Sequence, residues 1–238
     1  WIAEHTFLGP AAGGKLFAVI VVLAFTLIHS RGISFGSKVQ NILTLLKVLL
    51  VAGLIVAGLA FGRGNVENFS AANTLDGGLA GWKTIGLSLM WIMFAYSGWN
   101  ASTYIGSEIK KPKLNLPGSL IIGTVLVIIL YLLLNAVFVY AIPPGEMKGV
   151  ISVGGLAMGN LFGPGAETVF SLLIAFALFS SLSAYIIIGP RVYYSMSRDG
   201  LFFKAVARIH EKYKVPVYSI YLQSLIAIIF ILTGTFDQ

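Results

Sequence analysis

Apolar residues along this chain fall in long unbroken blocks rather than in alternating runs or narrow stripes. Six blocks stand out, at about residues 11–29, 39–61, 84–107, 118–141, 166–190 and 216–235. Each approaches the roughly 20 residues an α-helix needs to cross the hydrocarbon core of a bilayer. Lipid cannot hydrogen-bond the backbone, so runs of this length predict helices, whose polar groups pair internally. The expected fold is all-α and transmembrane: a helical bundle in which residues 1–238 form one transmembrane domain of six spans.

Turn chemistry marks the expected breaks. Arg31-Gly32 and Phe35-Gly36-Ser37 separate the first two spans, and Lys110-Lys111-Pro112-Lys113 with Leu116-Pro117 separates the third from the fourth. Pro143-Pro144-Gly145 opens an outer loop over about 142–165, which could serve as an extracellular lid. Val215-Pro216 begins the last span, with Pro where its missing N–H costs least. The opening Trp1-Ile2-Ala3-Glu4-His5 has neither an initiator Met nor a basic leader, and reads as a cut end of a chain truncated on both sides.

Composition agrees with a lipid solvent. The chain is 57% hydrophobic and 11% charged with mean hydropathy +0.89, against about 25% charged residues in soluble domains. The absence of Cys excludes a disulfide framework, thiolate metal sites and a Cys nucleophile. The net charge of +7 is explained by topology. Counting loops alternately, one side holds 11 basic residues: Arg31, Lys38, Lys110, Lys111, Lys113, Arg191, Arg198, Lys204, Arg208, Lys212 and Lys214. The other holds 4, Lys15, Arg63, Lys83 and Lys148. The positive-inside rule places the richer side in the cytoplasm. No stretch interleaves basic with stacking aromatic residues, so nucleic acid is not an expected partner.

Within 200–212, Leu201, Phe202, Ala205, Val206 and Ile209 recur at helical spacing opposite Lys204, Arg208 and Lys212. That pattern fits a helix lying on the cytoplasmic membrane face or a loop helix packed on protein.

Few residues could carry chemistry. His5, His29 and His210 lie at loop or helix-end positions without metal-ligand spacing. No catalytic triad, phosphate loop or intramembrane carboxylate pair is present, so neither an enzyme nor a cofactor or metal is expected, and any transport is secondary. More informative is Phe94-Ala95-Tyr96-Ser97-Gly98-Trp99-Asn100 in the third span. Small residues there allow close helix packing; equally, they make it easy to interrupt the helix and expose main-chain groups at membrane depth. Lys47 lies inside the second span, roughly 12 Å deep at 1.5 Å per residue. It either snorkels to the interface or meets a partner or water within the protein. Ser180, Ser181 and Ser183 in the fifth span bond across helices, or back to their own carbonyls, or line a site. Asn135 reads as interhelical glue, and Glu108 as a partner of nearby lysines or a cytoplasmic gate.

Phe94-Ala95-Tyr96-Ser97-Gly98-Trp99-Asn100, then Glu108, then Asn115-Leu116-Pro117, resembles the sixth-helix signature of permeases of the amino acid–polyamine–organocation superfamily, L-type or basic-amino-acid-antiporter-like. Val39-Gln40-Asn41 through Thr44-Leu45-Leu46-Lys47 resembles the family's fifth helix. Gly189-Pro190-Arg191-Val192-Tyr193-Tyr194-Ser195-Met196-Ser197-Arg198-Asp199-Gly200 resembles the end of its eighth. The resemblance implies that the six spans are helices four to nine of a five-plus-five inverted-repeat transporter. It implies Phe94 as an aromatic gate, Ala95, Tyr96, Ser97 and Gly98 as substrate-binding positions, and Trp99, Asn100 and Glu108 as gating or structural ones. It also implies an ion-site position for Lys47, lined by Ser180 and Ser181, and hence sodium-independent transport with a proton role for Lys47. Ser97 stands where the family often has Gly, and the family's glycine-rich first helix has no counterpart in this sequence.

The reading that follows is a multi-pass cell-membrane protein, in a prokaryotic plasma membrane. It would move amino acids by alternating access as a proton-coupled symporter or an exchanger, with the substrate, the lipid bilayer and protons as partners. The competing reading is a non-transporting structural or assembly subunit, or an inactive fragment of a transporter.

Overall fold

The computed structural model describes residues 10–70 and 78–234. The expectations about Trp1-Ile2-Ala3-Glu4-His5, and the end of the sixth span at 235, lie outside them. The α-helices in chain order are α1 (Pro10–Ser30), α2 (Ile33–Phe61), α3 (Leu79–Ala95), α4 (Pro112–Ala141), α5 (Val153–Phe162), α6 (Ala166–Arg198) and α7 (Val217–Thr233). Short 3-10 segments lie at Val66–Phe69, Ala101–Glu108, Pro144–Met147 and Lys204–Ala207. No strand occurs among the described residues. Ala12–Ser30, Ile33–Phe61, Pro112–Ala141 and Ala166–Arg198 are long and apolar enough to cross a membrane. The 17-residue helices α3 and α7 reach about 25 Å at 1.5 Å per residue. The fold is therefore all-α and transmembrane.

Helix ends depart from the apolar blocks where turn residues prove compatible with a helix. Helix α2 begins at Ile33 and absorbs Phe35-Gly36-Ser37. Helix α4 starts at Pro112, a first helical position where Pro loses nothing, and runs on through Pro117. Helix α6 continues through Pro190 to Arg198, with the Arg191 guanidinium donating to the Ile187 carbonyl in the turn that Pro190 disturbs. It ends in a Schellman cap: Gly200, at φ +78°, donates to Ser197 O at 3.3 Å and Leu201 N to Met196 O at 2.8 Å. Arg198-Asp199-Gly200 is thus a helix terminator.

Two expectations about the segments between spans are corrected. Residues 200–212 hold only the 3-10 turn Lys204–Ala207, because the chain there is tied to its neighbours instead of forming a helix. Ser197 Oγ donates to Phe203 O at 2.6 Å, Ser219 Oγ donates to Val206 O at 2.9 Å, and Val206 is buried. Residues 142–165 are not loop throughout, since they hold the 3-10 turn Pro144–Met147 and helix α5. Ser152 caps α5 through its Oγ and the Gly155 amide, and α5 buries Gly154, Gly155, Ala157, Met158 and Leu161.

The chain forms two compact units, Trp1–Leu45 with Ala177–Gln238, and Leu46–Phe176. In the first, Phe25, Ile186, Val215, Val217 and Ile220 form the core. Polar pairs lie beside it: Thr26 and Ser224 hydroxyls at 2.6 Å, and His29 Nε2 and Ser183 Oγ at 2.9 Å, all four residues buried. His29 also stacks on Phe25, with centroids 6.3 Å apart. It is an interior residue, where the sequence suggested only a helix end.

In the second unit, Ile55, Val137, Ala141, Ile142, Ala157, Met158 and Leu161 form the core. Gly58 brings α2 against α4 so closely that a Cβ there would lie 2.7 Å from Val137 Cγ1. The main chain after α2 is fixed by Arg63 N to Leu161 O at 3.1 Å and Asn65 N to Tyr140 O at 2.9 Å. Asn135 turns back to its own helix, donating to Tyr131 O at 2.8 Å, and is exposed rather than bonded across helices.

Candidate functional site

Helix α3 is apolar on all sides, from Leu79 through Trp82, Leu87, Trp91 and Met93 to Phe94, and most of these side chains lie open in the second unit. A helix of that kind belongs in lipid or against protein. It stops at Ala95 without reaching the end of the apolar block. Tyr96 N still bonds Ile92 O at 3.0 Å, but Ser97 N turns back to Phe94 O at 3.0 Å. Gly98 then takes φ +84°, a left-handed conformation that L side chains resist. The next turn restarts with Ala101 N on Gly98 O at 3.0 Å and Thr103 N on Asn100 O at 2.9 Å, leading into the 3-10 segment Ala101–Glu108. The amides of Gly98, Trp99 and Asn100 make no backbone–backbone hydrogen bond among the described residues.

This break faces a groove of about 300 Å³ against α4. Ala95, Tyr96, Ser97, Gly98 and Trp99 form one wall, and Ser119, Leu120, Gly123, Thr124, Val127 and Tyr131 the other. Tyr131 holds the two together: its hydroxyl donates to Ala95 O at 3.3 Å, and its ring meets Tyr96 edge-on with centroids 5.1 Å apart. The lining combines hydroxyls, main-chain groups and apolar surface, and contains no charged side chain. The α3 end contributes carbonyls, the negative pole of its helix, which attract an ammonium. The amides after Gly98 offer donors to a carboxylate. The volume sits at the lower edge of small-molecule sites.

The positions expected at a site divide three ways. Ala95, Tyr96, Ser97, Gly98 and Trp99 line the groove. Phe94, 74% exposed, and Asn100 stand beside it; Asn100 Nδ2 reaches Tyr104 Oη at 3.4 Å. Glu108 is exposed at the end of the 3-10 segment. The α4 wall was missed by sequence reasoning. Its signal is a stripe of small and polar residues at helical spacing, Ser119, Gly123, Thr124 and Tyr131, within a span that otherwise reads as uniform hydrocarbon.

Lys47 is partly buried on α2. One turn before it, Thr44 accepts from Gln40 Nε2 at 3.1 Å and lies 3.5 Å from the hydroxyl of the buried Ser180. Ser181 is partly buried on the next position of α6. Ser183 makes the cross-helix bond to His29.

A multi-pass helical membrane protein with one apolar helix interrupted beside a neutral groove has the general form of a solute carrier. The sequence profile of the amino acid permease family matches residues 7–237, and the chain belongs to that family. It is 31% identical over 230 residues to b(0,+)-type amino acid transporter 1 of Mus musculus, covering 96% of this chain and 47% of the relative. It is 26% identical over 230 residues to the serine/threonine exchanger SteT of Bacillus subtilis (strain 168), covering 94% and 50%. A third relative, the large neutral amino acids transporter small subunit 2 of Oryctolagus cuniculus, is 26% identical over 232 residues, covering 94% and 42%. The chain spans about half the length of the curated relatives it matches. These relatives come from mammals and a bacterium, and do not support the prokaryotic assignment.

Proposed function

We propose that this chain is the substrate-binding portion of a secondary amino acid transporter of the plasma membrane. The observation that carries the proposal is the break at Tyr96–Asn100, which opens main-chain donors and acceptors onto an uncharged groove. A zwitterionic amino acid needs both: carbonyls for its ammonium and amides for its carboxylate. An uncharged lining favours substrates with neutral side chains, because an unpaired side-chain charge would lose its hydration without compensation. Phe94 is the gate beside the groove, and Trp99 and Glu108 act in gating.

Coupling is assigned to Lys47, with Ser180 and Ser181 as companion positions. A lysine ammonium at span depth is costly to hold without a role, and while protonated it would exclude a sodium ion from the same place. Transport is then sodium-independent, by proton symport or exchange, through alternating access of the five-plus-five repeat.

The test is uptake of labelled neutral amino acids by the full-length protein in proteoliposomes. Expected are saturable uptake without sodium and a clear loss of affinity for large neutral substrates in Phe94→Ala. A purified, folded full-length protein that moves no amino acid in either symport or exchange mode would instead support a non-transporting subunit.

A further inference from the structure

In the first unit, the corner between α1 and α2 faces the turn at 210–215. Between them lies a groove of about 390 Å³ lined by Arg31, Lys38 and Lys212 together with Ile33, Phe35 and Tyr213. Its lining holds three cations and no carboxylate; Glu211, the acid nearest in sequence, is exposed and outside it. By the distribution of basic residues this end of the unit is cytoplasmic.

The groove is held by fixed main chain on both sides. Gly32, at φ +114°, reverses the chain between α1 and α2 and packs on Tyr213. Opposite, His210 N donates to Val215 O at 3.0 Å and Lys214 N to His210 O at 2.9 Å. The amides of Lys212 and Tyr213 donate to His210 Nδ1 at 3.2 and 3.4 Å. Val215 anchors this turn in the core at 1% exposure. Lys212 therefore projects from a rigid turn, its Nζ 5.6 Å from the Tyr213 ring centroid.

We propose that this groove binds the headgroup of an anionic phospholipid of the cytoplasmic leaflet. Three cations converging in one concavity match a phosphate, and basic pockets on the cytoplasmic side of membrane helices suit such headgroups. Ile33 and Phe35, 38% and 47% exposed, flank the charges. They sit in the first turn of a helix long and apolar enough to cross a membrane, just before its apolar block, at the interfacial depth where they meet the glycerol end of the lipid. A soluble phosphate would gain nothing from them, which favours the lipid. This inference is independent of which solute the protein carries.

The test is a titration of detergent-purified full-length protein with fluorescent phosphatidylglycerol. Unlabelled phosphatidylglycerol, phosphatidylcholine and inorganic phosphate serve as competitors. Arg31→Ala/Lys38→Ala/Lys212→Ala should weaken binding on the order of a hundredfold, since each cation near an anionic surface contributes about fivefold. Lys212→Ala alone, an exposed side chain on an intact turn, should weaken it about threefold to fivefold with unchanged melting temperature. Lys83→Ala/Lys148→Ala, which removes two cations outside this lining that the loop count assigns to the less basic side, should bind as wild type. Only phosphatidylglycerol should compete. Unchanged affinity in Lys212→Ala overturns the proposal even if the triple variant fails to fold. Equal competition by phosphatidylcholine overturns it in favour of apolar contact alone, and equal competition by phosphate in favour of a soluble anion.

Discussion

Gly98 offers a clean test of whether backbone conformation, and not side-chain packing, makes the break in α3. A Cβ added at Gly98 would meet nothing within 4 Å, and the same holds at Gly86, inside α3 and about three turns earlier. Neither methyl would meet protein atoms, so for stability the sites differ in backbone: Gly98, in the groove wall, has φ +84°, whereas Gly86, outside that wall, is helical. Gly98→Ala forces an L residue into left-handed space, at a cost of about 1–2 kcal/mol. Gly86→Ala should be neutral or stabilising by up to about 1 kcal/mol, the helix-propensity difference. If the left-handed turn is the binding-competent state, a penalty of that size lowers apparent substrate affinity roughly 5–30-fold, at 1.4 kcal/mol per factor of ten. Equilibrium binding of a labelled neutral amino acid to full-length protein in nanodiscs, with melting temperature recorded alongside, reads both effects. Wild-type affinity and stability in Gly98→Ala would refute the reasoning, as would equal losses in the two variants.

Other expectations follow from packing and charge. Gly58→Ala should destabilise by about 1–3 kcal/mol through overlap with Val137, and should cost less in a Val137→Ala background, where the overlapping methyl groups are gone. Thermal melts of the double-mutant cycle measure the coupling, and strict additivity would contradict the contact. Ser183→Ala removes the hydroxyl bonded to His29 Nε2 and should cost about 1–3 kcal/mol, the penalty for a buried polar atom left unmatched; a melt indistinguishable from wild type would argue against the pair. Lys47→Ala should abolish proton-coupled uptake in proteoliposomes while exchange of unlabelled for labelled substrate and membrane insertion persist. Normal proton-driven accumulation by that variant would remove Lys47 from the coupling step.

Much of the fold was legible because lipid leaves a chain few options. Long apolar blocks had to be helices, and α1, α2, α4 and α6 lie where the blocks do. Helix ends were less legible, since Pro117 and Pro190 look like stops but are carried inside helices whose neighbouring turns remain bonded. Helix α5 was hidden by its glycines: Gly154 and Gly155 lower helix propensity, yet they let α5 sit against Phe170 and Glu167. The cluster around Gly98 announced itself through small and polar residues in the middle of hydrocarbon. Its counterpart on α4 did not, because Ser119, Gly123, Thr124 and Tyr131 are diluted by leucine, isoleucine and valine, and only the helical spacing unites them. His29 could not be placed by pattern at all, since its partner Ser183 is 154 residues away.

Amide hydrogen exchange of the full-length protein in nanodiscs, with and without a neutral amino acid, tests most directly whether main-chain groups at 96–100 hold the solute. Peptides covering Gly98, Trp99 and Asn100 should exchange much faster than those covering 84–94 in the free protein, and slow down when the amino acid is added. Uniformly slow exchange from 84 through 104, unaltered by any amino acid tried, would contradict the account.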